Sequence, residues 1–131
     1  MRTHVAGRLA AILLGLEGLA IIALVVWQVW ALVAGDTDSI ESALALVVLT
    51  AIGAVAVLAF AVATWRGQSW GRSGGIVTQL LILAVALGAV TGAYSVPMTG
   101  LVLAIPAAMT LVLLVVAVRA AGREARDAAS E

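Results

Sequence analysis

Residues 9–34 read LAAILLGLEGLAIIALVVWQVWALVA. One carboxylate, Glu17, and one amide, Gln28, stand in a stretch that is otherwise apolar. At ~1.5 Å per residue a helix over it is roughly 39 Å long, more than the ~30 Å hydrocarbon core of a bilayer. A secretory leader has an apolar stretch of only ~7–15 residues. The stretch therefore predicts an uncleaved membrane helix that tilts or projects past the interface.

Three further apolar runs follow, at about 43–64, 76–94 and 96–118. Each is close to the ~20 residues that a helix needs to span lipid. Within a bilayer the backbone must satisfy its own hydrogen bonds, so helices are the default. The roughly ten-residue alternating segments of a barrel are not seen. Composition agrees, with 64% hydrophobic and 11% charged residues. A soluble domain has about 25% charged residues. The breaks at Gly35–Ser39, Arg66–Gly75 and Ser95–Pro97 are short. Asp36, Asp38 and Ser39 offer N-caps for the second helix, and Pro97 suits a first helical turn. Short connections make consecutive helices antiparallel neighbours. The expected fold is all-α: a four-transmembrane-helix antiparallel bundle, one membrane domain over residues 1–131. A polar tail from 119 to 131 is expected as a frayed helix end.

Orientation follows from the arginines, which are the only strong bases. Arg2 and Arg8 precede the first helix, Arg66 and Arg72 lie at the second break, and Arg119, Arg123 and Arg126 follow the fourth helix. The first break carries Asp36, Asp38 and Glu41 instead. The basic side should be cytoplasmic, which places both termini inside the plasma membrane. Trp27, Trp30 and Tyr94 are expected at the outer interface, and Trp65 and Trp70 at the inner one. Arg66 and Arg72 are expected at anionic headgroups there. The lipid bilayer is thus the first partner. A second copy or a larger membrane complex is left open.

The same composition excludes several chemistries. Net charge is zero, so no basic face for nucleic acid is evident. With no cysteine and one histidine, His4, neither disulfides nor a metal cluster is expected, and no cofactor is implied. Gly71-Arg72-Ser73-Gly74-Gly75 matches G-x-S-x-G, but a nucleophile needs a strand–turn–helix and a histidine in reach. The same glycines lack the Lys-Ser/Thr of a phosphate loop. A non-enzymatic protein is expected. Pro106 removes a backbone donor within the fourth helix and predicts a kink.

Glu17 is the residue that asks for a reason. It lies roughly 13–15 Å from either interface, near midplane. Insertion there costs roughly 3 kcal/mol, and such a residue faces the protein interior. At 100° per residue Ala10, Leu24, Gln28 and Ala31 fall within about 40° of it. Comparable stripes hold Thr50, Ala54 and Ala61; then Arg72, Gly75, Gln79, Ala86 and Ala93; then Pro106, Thr110 and Ala117. Counted inward from Arg72 and Arg119, Gln79 and Thr110 reach about the depth of Glu17. A buried polar layer of Glu17, Gln79 and Thr110 is expected, with Thr78 as an extra member and Gln28 as a further candidate on the same face. Burial favours a neutral Glu17 that donates to the Gln79 carbonyl.

Leu16-Glu17-Gly18 and Trp65-Arg66-Gly67-Gln68-Ser69-Trp70-Gly71-Arg72, continuing to Thr78-Gln79-Leu80-Leu81, resemble a group of small four-helix integral membrane proteins of actinobacteria. That group pairs an L-E-A-like motif in helix 1 with R-G-x-x-W-A-R…V-x-Q-L-L entering helix 3. The resemblance implies the four-helix layout and marks Glu17 and Gln79, but it implies no activity. Gln68-Ser69 and Gly71 depart from the pattern, which implies a weaker hold on acidic lipids. In layout the chain is also similar to small multidrug-resistance transporters, which embed a glutamate in helix 1. That likeness implies proton exchange at Glu17 for a cationic substrate in a dimer. The aromatic lining of such a site is missing, since Phe60 is the only ring not expected at an interface. Two readings result: a structural or accessory membrane component, or a small proton-coupled efflux transporter.

Overall fold

The computed structural model describes residues 2–93 and 95–130, with side chains from His4 onward. Tyr94, expected at the outer interface, lies outside them. The chain forms α1 (Arg2–Val33), α2 (Ile40–Trp65), α3 (Ser69–Thr91) and α4 (Pro97–Ala129). All four are long and apolar enough to cross a membrane, with mean hydropathy of 2.0 to 2.8 in their most apolar windows. They suit a multi-pass membrane protein.

Three helices overrun their apolar stretches. α1 begins at Arg2, α3 at Ser69, and α4 runs on to Ala129 through the tail expected to fray. Apolarity marks the thickness of the oil, whereas a helix continues wherever its hydrogen-bond ladder does. The α4 extension is rich in alanine and arginine, which are good helix formers in water. α4 also continues through Pro106.

The ends are set by local chemistry. α1 closes on Gly35 at φ 75°, where Asp36 N–H bonds the Ala31 carbonyl and Gly35 N–H that of Leu32. α2 closes in the same way on Gly67, also at φ 75°, with Gln68 N–H on the Ala63 carbonyl. This left-handed cap satisfies the last carbonyls of a helix, and glycine adopts it without a Cβ penalty. Of the N-caps offered for α2, Ser39 is used: its hydroxyl accepts from Ser42 N–H.

α1 packs against α2 and α4, and α3 packs against the same two. The four helices therefore close a ring in which α1 and α3 are diagonal. Small side chains face inward: apart from Leu14, Val57 and Leu114, every buried hydrophobic residue described is alanine. Large ones face outward, among them Leu49, Val33 and Trp30 at 68%, 81% and 74% exposure. Lipid is as apolar as leucine, so leucine gains little by hiding, whereas small residues let helices come close and keep dispersion contact. At Gly71 the α3 backbone lies directly against α2: a Cβ there would stand 2.5 Å from Ala63 Cβ and 2.6 Å from Thr64 N. Ala10, Leu14, Val57, Ala61 and Leu114 form the central cluster.

Burial is uneven along the bundle. Among the described residues α1 has none buried beyond Gly18, and α2 has none before Ala54. α3 and α4 continue their contact further, at Ala86, Gly100 and Ala107. Glu17 stands where the tightly packed half gives way to the looser one.

Candidate functional site: a buried polar layer

Glu17, Gln79 and Thr110 come together in space. Gln79 Nε2 donates to Glu17 Oε2 at 2.6 Å, across the diagonal from α3 to α1. Thr110 Oγ1 of α4 lies 3.1 Å from Glu17 Oε1 and 2.9 Å from the Pro106 carbonyl oxygen. Gln79 and Thr110 are completely buried, while Glu17 is half-buried.

Helical spacing builds the support beneath them. Leu14 lies about one turn before Glu17, Gly75 one turn before Gln79, and Leu114 one turn after Thr110. A Cβ on Gly75 would meet Leu14 Cδ1 and Leu114 Cδ1, each at 3.0 Å. Both leucines are 0% exposed. These three residues form an apolar floor on the side of the layer toward Arg72 and Arg119. Glycine at 75 leaves the two leucines room to meet under the amide.

The hydrogen count at Thr110 is informative. A hydroxyl has one hydrogen to donate, yet two acceptors stand within reach. Thr110 Oγ1 is the donor toward both, sharing its hydrogen between Glu17 Oε1 and the Pro106 carbonyl. The Gln79 amide donates to Oε2. This differs from the expected bond, in which the acid donates to the amide oxygen. Gln79 Oε1 instead is buried without a partner among the described residues. An amide has two N–H groups to satisfy and the carboxyl offers lone pairs, so turning nitrogen toward the acid serves the more demanding end.

Other candidates fall elsewhere. Thr78 Oγ1 donates to the Gly74 carbonyl of its own helix at 2.9 Å and stays out of the layer. Gln28 shares the face of Glu17 but lies about 16 Å further along α1. Its Oε1 is buried without a partner among the described residues, and it lines a separate cleft with Trp27, Asp36 and Ser42. Trp27, Trp30, Trp65 and Trp70 all have more than half of their surface exposed. Trp70 Nε1 donates to Gln68 Oε1 at 3.0 Å, and its ring meets Phe60 edge-on at 5.9 Å. Arg72 Nη1 donates to the Gly67 carbonyl at 2.8 Å. The Arg8 guanidinium lies over the Trp65 ring, 5.5 Å from its centre. The sequence reading missed this last contact because it joins α1 to the end of α2, and neither residue's spacing reveals the other.

Comparison with known protein families, with curated proteins and with solved structures gives no match. The functional reading rests on the geometry of the chain itself.

Proposed function

We propose that this protein crosses the plasma membrane four times as an antiparallel bundle, both termini cytoplasmic, and serves as a non-enzymatic structural or accessory component. The likeness to the small actinobacterial membrane proteins is part of the same proposal. The observation that carries the structural role is the layer itself: Gln79 and Thr110 are wholly buried around Glu17, above a leucine floor. There the acid spends its hydrogen-bonding capacity on tying α1 to α3 and α4. Beyond the bilayer, a second copy or a larger complex would cover the looser half.

The chain has no cysteine, so single introduced thiols report topology cleanly. In intact cells Ser39→Cys is expected to react with a membrane-impermeant maleimide, whereas Ser130→Cys reacts only after permeabilisation. The arginine distribution predicts this order. Labelling at both positions in intact cells, or at Ser130→Cys alone, refutes the orientation.

One observation favours the second reading, a proton-coupled transporter: Glu17 is half-buried where its partners are fully buried, and it stands at the edge of the loosely packed half. Proteoliposomes with an imposed pH gradient separate the two. A structural layer predicts the same low proton leak for wild type and Glu17→Gln, because the amide keeps size and hydrogen bonding but cannot titrate. Gradient-driven uptake of a cationic dye that Glu17→Gln abolishes would displace the structural reading.

A further inference from the structure

At the arginine-rich end of the bundle lies a cleft of about 290 Å³ that the buried layer does not use. His4 and Arg8 of α1, Thr64 of α2, Arg66 and Arg72 line it, with Glu124 of α4 on its wall. Three arginines thus line a space that, among the described residues, also holds one carboxylate, which is itself engaged in an interaction.

Two of the guanidiniums are held in place. Arg8 rests on the Trp65 ring, and Arg72 is tethered through one nitrogen to the Gly67 carbonyl. Each keeps further N–H groups, and a planar guanidinium fixed in this way is suited to two oxygens of one anion.

Thr64 supplies an independent observation. It is 3% exposed, and its hydroxyl has no hydrogen-bond partner among the described residues. Threonine within a helix ordinarily donates back to the carbonyl four residues earlier. Thr50, Thr78, Thr91 and Thr110 all do so in this chain. Thr64 has the Phe60 carbonyl at the same spacing and does not use it. A buried, unpaired hydroxyl is costly, and Thr64 is one of the residues that line the cationic cleft.

We propose that this cleft binds a phosphomonoester, with Arg8, Arg66 and Arg72 on the phosphate oxygens and the Thr64 hydroxyl donating to one of them. The proposal goes beyond general headgroup contact and holds whichever way the bundle is inserted. The same chemistry is presented by a lipid with a terminal phosphate and by a small soluble phosphate.

The purified full chain distinguishes these sources. In phosphatidylcholine nanodiscs, inorganic phosphate is titrated and thermal stability is read. In a parallel arm, phosphatidic acid is mixed into the nanodiscs and retained lipid is read by native mass spectrometry. Binding in the first arm identifies a soluble phosphate, and binding only in the second identifies a lipid headgroup. Either way Thr64→Val is expected to weaken binding about 10-fold or more, since a hydrogen bond to a charged group is lost. That variant keeps the shape of the side chain and removes the orphan hydroxyl, so its fold is retained. Arg72→Gln is expected to weaken binding at least as much. Replacing Arg119, Arg123 and Arg126 by glutamine leaves binding unchanged, because none of them lines the cleft. Absence of binding in both arms overturns the proposal. So does a Thr64→Val variant that binds as wild type does, which would reduce the cluster to a diffuse basic belt.

Discussion

Gly71→Ala is expected to destabilise the bundle by roughly 1–3 kcal/mol, and Gly71→Val by more, through overpacking. The added Cβ would stand 2.5 Å from Ala63 Cβ, 2.6 Å from Thr64 N and 2.8 Å from Ala63 C. Two of those atoms are backbone, so no rotamer change relieves the clash and α3 must move away from α2. Gly15→Ala and Gly53→Ala are the internal controls. Both are helical and would place a Cβ with nothing within 4 Å. Each is expected to be neutral or stabilising, since alanine is preferred to glycine in a helix by about 1 kcal/mol. Unfolding in mixed micelles, followed by far-ultraviolet circular dichroism, reads all four. The prediction is one of opposite sign for the same chemical change. If Gly71→Ala proves as stable as Gly15→Ala, the α2–α3 seam is not as close as the fold requires. The damage should spread beyond that seam. Gly71, Gly75 and Gln79 are four residues apart along one stripe of α3, so displacing the first moves the amide away from Glu17.

How much of this was legible in the sequence depends on which physical quantity each feature obeys. Glu17, Gln79 and Thr110 could be grouped because two numbers constrain them together, the angle per residue and the rise per residue. Gln28 shows what happens with one number alone: it shares the face of Glu17 but not the depth, and it lines another cleft. Leu24 is a plainer miss on the same stripe, 44% exposed, because a stripe fixes a direction on one helix but not how far the neighbour extends. The helix ends at Arg2, Ser69 and Ala129 escaped because apolarity reports solvent, not hydrogen bonding. Thr64 and the Arg8–Trp65 contact escaped for a different reason. They depend on which helices adjoin at one end of the ring, and short connectors leave that order open. The bond direction at Gln79 turned on a count of donors, which requires all three partners to be in view.

Glu17→Leu and Gln79→Leu should each destabilise the protein by about 1–2 kcal/mol, and the double substitution should cost little more than either alone. The single changes are costly because of what they leave behind. Without Glu17, both ends of the Gln79 amide are unpaired at a position with 0% exposure, since Oε1 already lacks a partner. An orphaned buried polar group costs about 1–3 kcal/mol. Interhelical bonds in bilayers average only ~0.6 kcal/mol, with a maximum near 1.7, because the unfolded chain in the membrane also finds partners. The expected coupling is therefore about 1 kcal/mol, the value left when an orphan penalty is weighed against that compensation. In the double variant two apolar side chains meet above Leu14 and Leu114, and no polar group is stranded on α3. Thr110 keeps its bond to the Pro106 carbonyl in every variant, so it should not contribute to the coupling. Glu17→Gln is expected to lie close to wild type, because an amide can still accept from Gln79 and donate to Thr110. A cycle that comes out additive would mean that Glu17 and Gln79 do not sense each other across the diagonal. The 2.6 Å contact would then carry no weight in holding α1 to α3.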